Sequence, residues 1–218
     1  MSAIGSIFDR RGAPVTAREL EHLSEALENY GRDTSILCRG PVGIFVRHSN
    51  ETGAHERYGP IQDPESGLIV AVAGRFRRVK EESGDVNSPD RGPEQLGYAT
   101  WALNRWKSQG PSFLGNVAGS FTLVVADPSA GWLSIARDHL GDLKVYYRLT
   151  ERRLISASEP NVILRDPSVS GDFDQRSVAA FLGFRVAHSD RSFYRRISEL
   201  APSHRLTVTT ESSGIEQY

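Results

Sequence analysis

Alternating apolar and polar residues dominate the middle of the chain and predict strands. Residues 119–127 (GSFTLVVAD) and 131–141 (GWLSIARDHLG) place apolar side chains at a spacing of two, and residues 144–159 (KVYYRLTERRLISASE) continue the pattern. The turn-forming segment Pro128-Ser129-Ala130 separates the first two runs. This stretch predicts three consecutive strands of an antiparallel meander.

The segments before the meander mix strands and helices without a regular alternation. Apolar runs over residues 3–8, 43–48 and 68–73 predict strands, and amphipathic patterns over 17–30 and 94–107 predict helices. A parallel doubly wound sheet would need strands and helices in strict alternation. The order of elements therefore predicts an α+β fold in which helices cover antiparallel sheets.

Composition and charge narrow the class of protein. The chain has 218 residues and a formal net charge of −1, so neither nucleic acid nor an anionic membrane is an expected partner. No apolar run approaches the roughly 20 residues that a membrane span requires, and the first residues lack a signal-peptide pattern. The one cysteine, Cys38, excludes an internal disulfide or a cysteine zinc cluster. We expect a cytoplasmic location and no cofactor in this chain.

Several residues that could bind a metal ion or a phosphate group are more simply explained as structural residues. The six histidines never occur at metal-binding spacings, and we expect His55 and His139 to be hydrogen-bonded structural residues. The arginines at 191, 195 and 196 are interpreted as a solvated face. The segment Ser212-Ser213-Gly214 lacks the strand-to-helix context of a phosphate-binding loop.

Collinear motifs along nearly the whole chain resemble the asparagine synthetase family. They are MSAIGSIF (1–8), Arg39-Gly40-Pro41, His55-Glu56-Arg57, Ala73-Gly74-Arg75, residues 110–127, RDHLGDLKVYY (137–147), SASEPNVIL (156–164) and residues 192–208. The resemblance is to the N-terminal glutaminase domain, a class II glutamine amidotransferase with an N-terminal-nucleophile (Ntn) fold. It implies an αββα sandwich of two stacked antiparallel sheets over residues 1–210, with 211–218 beginning a linker.

The same resemblance implies a glutaminase site whose residues have changed. In the family, methionine removal frees an N-terminal cysteine that attacks the glutamine amide, and here Ser2 holds that position. Ala73, Gly74 and Arg75 stand where the family has N-G-E, which supplies the oxyanion donor and the contact to the substrate amine. Arg57 matches the arginine that begins the glutamine pocket.

These departures predict that glutamine hydrolysis is lost. Alanine cannot donate to an oxyanion, and an arginine in place of the glutamate would repel the substrate's ammonium group. The family's pocket also contains an acidic residue, for which Asp90 is the nearest candidate, although Tyr98 matches better by spacing. An N-terminal-serine amidohydrolase and a binding module that holds an acidic ligand with Arg57 and Arg75 are the alternatives.

In its differences from the glutaminase motifs, this chain most resembles the members of the family that have lost glutaminase activity. They are β-lactam synthetase and the lasso-peptide macrolactam synthetases, which use an internal amine and carry ATP and magnesium chemistry in a C-terminal domain with an S-G-G-x-D-S motif. This chain lacks that motif. We therefore expect a synthetase domain as partner, in cis or in trans, with a peptide substrate or a biosynthetic partner protein. Whether two copies pair stays open.

Overall fold

The computed structural model describes residues 2–49, 53, 57–77, 92–185 and 190–218. Its strands form two antiparallel six-stranded sheets. The first sheet contains β1 (Ser2–Asp9), β2 (Asp33–Arg39), β3 (Val42–His48), β8 (Tyr146–Leu149), β9 (Arg153–Ala157) and β10 (Ser198–Glu199). The second contains β4 (Ile61–Gln62), β5 (Ile69–Arg77), β6 (Ala118–Asp127), β7 (Trp132–Arg137), β11 (His204–Thr209) and β12 (Ser213–Gln217).

Helices flank both sheets. Those in the described residues are α1 (Ala17–Ser24), α2 (Pro93–Leu96), α3 (Tyr98–Gln109), α4 (Pro160–Leu164) and α5 (Gln175–Phe184). The helix predicted over 17–30 begins as expected, because the Thr16 hydroxyl accepts a hydrogen bond from the Glu19 amide at 3.3 Å. It changes to a 3₁₀ helix over Glu25–Tyr30. None of the described helices is long and apolar enough to cross a membrane.

The two sheets pack face to face, and β1 lies at the centre of this arrangement. Ile4 and Phe8 belong to the core that also contains Leu123 of the second sheet. Ala3 and Ile7 point the opposite way, into a second apolar cluster with α1 and α4. Both faces of β1 are therefore covered, which is why all eight of its residues are buried. The predicted αββα sandwich is confirmed.

The predicted meander is wrong in its third strand. Strands β6 and β7 pair as a hairpin, but β8 and β9 belong to the opposite sheet. The turn over residues 138–145 carries the chain from one sheet to the other. Alternation alone gives the period of a strand and not its partner, so periodicity could not reveal this crossing.

Part of the segment 211–218, predicted to begin a linker, is a strand of the second sheet. Residues Ser213–Gln217 form β12, which pairs with β11 from Val208 to His204. Tyr218 then packs against the ring of His139, and its hydroxyl donates a hydrogen bond to the carbonyl of Arg137. Strand β12 is exposed on all its residues, and this edge position gives it the polar composition that resembles a linker.

Candidate functional site

Ser2 lies where one end of β1 meets the opposite sheet. The residue is 7% exposed, and its hydroxyl oxygen accepts a hydrogen bond from the Gly74 amide of β5 at 2.9 Å. Within its own sheet Ser2 is paired with His48 of β3. Directly opposed residues of antiparallel strands share a face, so His48 and Ser2 point the same way. His48 Nε2 lies 3.2 Å from the Ser35 hydroxyl oxygen.

Gly74 can approach Ser2 because it has no side chain. Its φ of +90° lies in the left-handed region, which favours glycine. A Cβ atom at this position would stand 2.0 Å from the Ser120 carbonyl oxygen and 2.6 Å from Leu143 Cδ1. The backbone amide of Gly74 therefore reaches a hydroxyl that comes from the other sheet.

The two residues beside Gly74 differ in solvent exposure. Ala73 is buried, whereas Arg75 is exposed. Burial raises the pKa of the nearby Tyr98 phenol, and the positive charges of Arg75 and Arg57 lower it in part. Both arginines thus lie close enough to Tyr98 to act on its charge state. The Tyr98 ring packs 6.3 Å from that of Phe76, the residue that follows Arg75 on β5.

A cavity of about 250 Å³ opens beside Ser2. Its polar lining includes Tyr30, Asp142, Lys144 and Glu159. The Tyr30 hydroxyl donates to Glu159 Oε1 at 2.7 Å. Burial, together with this hydrogen bond and the carboxylate charge, raises the pKa of Tyr30 to about 12. One cationic residue, Lys144, and two carboxylates, Asp142 and Glu159, therefore line the same cavity as Ser2.

A buried arginine and aspartate hold the cavity wall in place. Arg137 donates to the carbonyl oxygens of Gly141 at 2.8 Å and Leu143 at 2.7 Å. Asp138 accepts from the amides of Leu140, Asp142 and Leu143, at 3.0 to 3.1 Å. This turn places the Leu143 side chain against Gly74. The described residues contain no group of histidine, cysteine and carboxylate side chains that could hold a metal ion.

Residues 100–218, more than half of the chain, match the family described as the glutamine amidotransferase domain. The chain belongs to that family. It is also 26% identical over 178 residues to asparagine synthetase B (glutamine-hydrolyzing) of Escherichia coli K12. This match covers 75% of this chain and 30% of the relative. The chain thus spans less than a third of the relative's length. The predicted resemblance to an asparagine synthetase-type glutaminase domain is confirmed.

Solved structures agree on the fold. The allosteric regulatory enzyme of purine biosynthesis superposes on 99% of this chain with a TM-score of 0.63 and 12% identity, over 48% of its own length. The glutamine phosphoribosylpyrophosphate amidotransferase of B. subtilis does so over 99% of this chain and 49% of its own, with a TM-score of 0.54 and 12% identity. At such identity these similarities support the class II amidotransferase fold and nothing finer.

Within this glutamine amidotransferase domain, Ser2 and the segment Ala73-Gly74-Arg75 come together as the motifs predicted. Arg57 lies near Tyr98, which is the better-spaced match for the family's acidic residue. The roles of these residues stay predictions. Met1, His55, Glu56 and Asp90 lie outside the described residues.

The motif Arg39-Gly40-Pro41 lies away from the site. It forms the hairpin between β2 and β3, where Arg39 pairs with Val42. Ser2 pairs with His48 at the other end of β3, about 20 Å away at the rise of an extended strand. The resemblance of this tripeptide to the family's R-G-P-D therefore does not mark a pocket position.

Sequence reasoning missed most of the cavity lining. Ser158-Glu159 and Asp142 belong to motifs that carry the resemblance, but the motifs assigned them no role. Tyr30, at the end of the 3₁₀ helix, gave no signal, because only the tertiary fold brings it to the cavity beside Ser2. Tyr30 reaches Glu159 across 129 residues of chain.

Proposed function

We propose that this chain is a glutaminase-like domain that has lost glutamine hydrolysis and supports an ATP-dependent, amide-forming synthetase domain. The observation that carries the proposal is the geometry around Gly74. Its amide is directed at the Ser2 hydroxyl, but the residue on one side is alanine and the residue on the other is arginine. The backbone donor of a glutaminase site is present without the side chains that complete it.

The missing side chains have large expected effects. An oxyanion-hole donor is worth about 2.7–4 kcal/mol of transition-state stabilisation, and the buried methyl group of Ala73 supplies none. By the motif resemblance, Arg75 replaces the glutamate whose carboxylate binds the substrate's ammonium group, and the positive charge of its guanidinium group would repel that ammonium. Tyr98 adds a phenol with a raised pKa, and such a group carries no negative charge near neutral pH.

The partner in this proposal is a synthetase domain that uses ATP and magnesium, in cis or in trans. The similarity to asparagine synthetase B of E. coli, of which the match covers 30%, supports a synthetase domain as the partner. Loss of the glutaminase favours a reaction in which an internal amine replaces ammonia, as in the lasso-peptide macrolactam synthetases. A peptide substrate then follows as the second part of the proposal.

The test is glutamate release from glutamine by the wild type and by Ser2→Ala. We expect no release from either protein above that of a heat-denatured control. Because Ser2 is buried, its replacement could disturb the fold. Circular dichroism and thermal unfolding therefore check that Ser2→Ala is folded. Release by the wild type that disappears in the variant would overturn the proposal.

An active N-terminal-serine amidohydrolase is the second candidate. The 2.9 Å hydrogen bond from the Gly74 amide to the Ser2 hydroxyl favours it, because that amide could also donate to an oxyanion formed beside Ser2. This chemistry requires a free Ser2 amine as base. An intact mass that retains Met1 would exclude it independently of any substrate.

A binding module for an acidic ligand is the third candidate, and the shared proximity of Arg57 and Arg75 to Tyr98 favours it. A thermal shift with glutarate tests this function. Stabilisation of the wild type that is absent in Arg75→Gln would support a carboxylate site. Equal shifts in both proteins would exclude a role for Arg75.

A further inference from the structure

The cavity beside Ser2 contains a carboxylate that no described cation neutralises. Glu159 is half-buried there, and within the described residues only its Oε1 oxygen is hydrogen-bonded, to the Tyr30 hydroxyl. None of the ion pairs formed among the described residues includes Glu159. Because water screens a half-buried charge less than an exposed one, this carboxylate attracts a cation strongly.

The charge of Glu159 also acts on the other side of the cavity. Burial raises the pKa of the Tyr146 phenol, and the negative charges of Glu199 and Glu159 raise it further. Tyr146 and Tyr30 both line the cavity and both have a raised pKa. The two phenols are therefore neutral near pH 7, and the carboxylates carry the negative charge.

The neighbouring carboxylate of Glu199 differs from Glu159 because it has two cations. Arg137 Nη1 lies 2.9 Å from Glu199 Oε1, and Lys144 Nζ lies 3.9 Å from Glu199 Oε2. Lys144 is the only cationic residue among the described residues that line the cavity, and 59% of its side chain is exposed. Its ammonium group thus pairs with Glu199, which leaves Glu159 to a cation from outside the chain.

The lining as a whole carries an excess of negative charge. Asp142 is the second carboxylate, and it accepts a hydrogen bond from the Ser120 hydroxyl at 2.6 Å. Two carboxylates against the single ammonium group of Lys144 leave one negative charge unmatched. The cavity therefore favours a cation over an anion.

The cavity is larger than a bare inorganic cation requires. Its volume of about 250 Å³ is several times the roughly 30 Å³ that one water molecule occupies in the liquid. Leu143 and the tyrosines at 30 and 146 add apolar surface beside the charges. The Ser2 hydroxyl oxygen accepts from the Gly74 amide and has a second lone pair for another donor. These features fit a primary ammonium group on a short hydrocarbon chain.

We propose that this cavity binds a small organic amine in its protonated form, with the ammonium group on Glu159 and the hydrocarbon part against Leu143 and the tyrosine rings. The inference goes beyond the proposed function and does not depend on the loss of glutamine hydrolysis. It also differs from the module for an acidic ligand, since Arg57 and Arg75 are not among the described residues that line this cavity.

A small zwitterion is the competing ligand, because Lys144 offers a cation to a ligand carboxylate while Glu159 takes the ammonium group. The approach of Lys144 to Glu199 favours the simple amine. A ligand carboxylate would have to compete with Glu199 for the same ammonium group. The two ligand classes make opposite predictions for a variant without Lys144.

The test is an NMR titration of the 218-residue chain with n-propylammonium chloride, followed at the amides of Lys144 and Glu159. Ammonium chloride, 1-propanol and sodium propionate are the comparison ligands, all at one ionic strength because salt screens charge. For a ligand of so few atoms we expect saturable shifts with a Kd of about 1–10 mM. Each comparison ligand should bind at least about tenfold more weakly, since it lacks the charge or the hydrocarbon chain.

Three variants locate the bound ammonium group. Glu159→Gln should weaken the binding of propylammonium at least about tenfold. The matched control is Glu211→Gln, an exposed carboxylate between β11 and β12, which should leave the Kd unchanged. Lys144→Met removes a repelling charge from an exposed side chain, so propylammonium should bind about threefold more tightly. This variant keeps the test informative if Glu159→Gln does not fold.

The outcomes separate the amine site from the proposed function. Absence of saturable shifts with propylammonium, or an unchanged Kd in a folded Glu159→Gln, would overturn the amine site. Equal affinity for ammonium would overturn the assignment to an organic amine, and weaker binding by Lys144→Met would favour a zwitterion instead. Glutamate release that depends on Ser2 would overturn the loss of glutaminase and leave the amine site standing.

Discussion

Arg137 stabilises the turn that crosses between the sheets. Its guanidinium group is almost fully buried, and it donates to the carbonyls of Gly141, Leu143 and Leu200 and to Glu199 Oε1 at 2.9 Å. A buried guanidinium group with several acceptors costs little, because its charge is paired and its donors are used. Removing it would take a buried donor away from each of these acceptors.

We predict that Arg137→Met lowers the free energy of unfolding by about 3–5 kcal/mol. The matched control is Arg165→Met, which breaks the partly exposed pair of Arg165 with Glu25 and should cost under about 1 kcal/mol. Urea unfolding measures both. If Arg137→Met does not fold, Glu199→Gln removes one charge and keeps the other contacts, and it should still cost more than Arg165→Met. Equal costs would contradict this role for Arg137.

The Tyr30 phenol should lose its proton at a higher pH than an ordinary tyrosine. Its pKa is raised to about 12, against an ordinary value of about 10. The folded state favours the neutral phenol, so this contribution to stability is complete below pH 10 and is lost as the pH rises from about 10 to 12. We predict that Tyr30→Phe removes phenolate absorbance that appears near pH 12 in the folded protein. Removal of absorbance near pH 10 would show that Tyr30 is unperturbed.

The sequence located some site residues because they are adjacent in the chain. Ala73, Gly74 and Arg75 follow one another, and a motif of three residues is enough to identify them. Tyr30 and Glu159 form a pair only because β1 brings their segments together, and no local pattern contains that information. Local signals therefore located Ala73, Gly74 and Arg75, whereas the cavity lining could be identified only from the fold.

Strand β5 depends on Gly74 for its approach to both β6 and Ser2. A side chain there requires a left-handed backbone conformation, which costs about 1–3 kcal/mol, and also overlaps the Ser120 carbonyl. We predict that Gly74→Ala lowers the free energy of unfolding by at least about 1–3 kcal/mol. Gly115→Ala, where no atom lies within 4 Å of the new Cβ, should change stability by less than about 1 kcal/mol. Comparable unfolding midpoints would contradict the close approach at Gly74.

The sequence predicted which segments form strands better than it predicted which strands pair with each other. The hairpin of β6 and β7 follows from its alternation and from the turn at Pro128. The move of β8 to the first sheet does not, because it depends on how Arg137 and Asp138 hold the intervening turn. Strand β12 was missed because an edge strand with exposed side chains has the composition of a linker.

The first and last strands of the chain both belong to the two-sheet sandwich. Ser2 starts the central strand of the first sheet, and β12 forms an edge of the second. Because the stacking of the two sheets places Ser2 against Gly74, the site geometry is a property of the complete fold. The family's architecture thus persists around residues that no longer provide a glutaminase site in our proposal.

Glutamate release from glutamine, measured for the wild type beside Ser2→Ala, tests this proposal most directly. The proposed loss of the oxyanion donor at Ala73 and of the carboxylate at Arg75 predicts that both proteins stay at the level of the heat-denatured control. Release by the wild type that Ser2→Ala abolishes would contradict the loss of function and identify Ser2 as a working nucleophile.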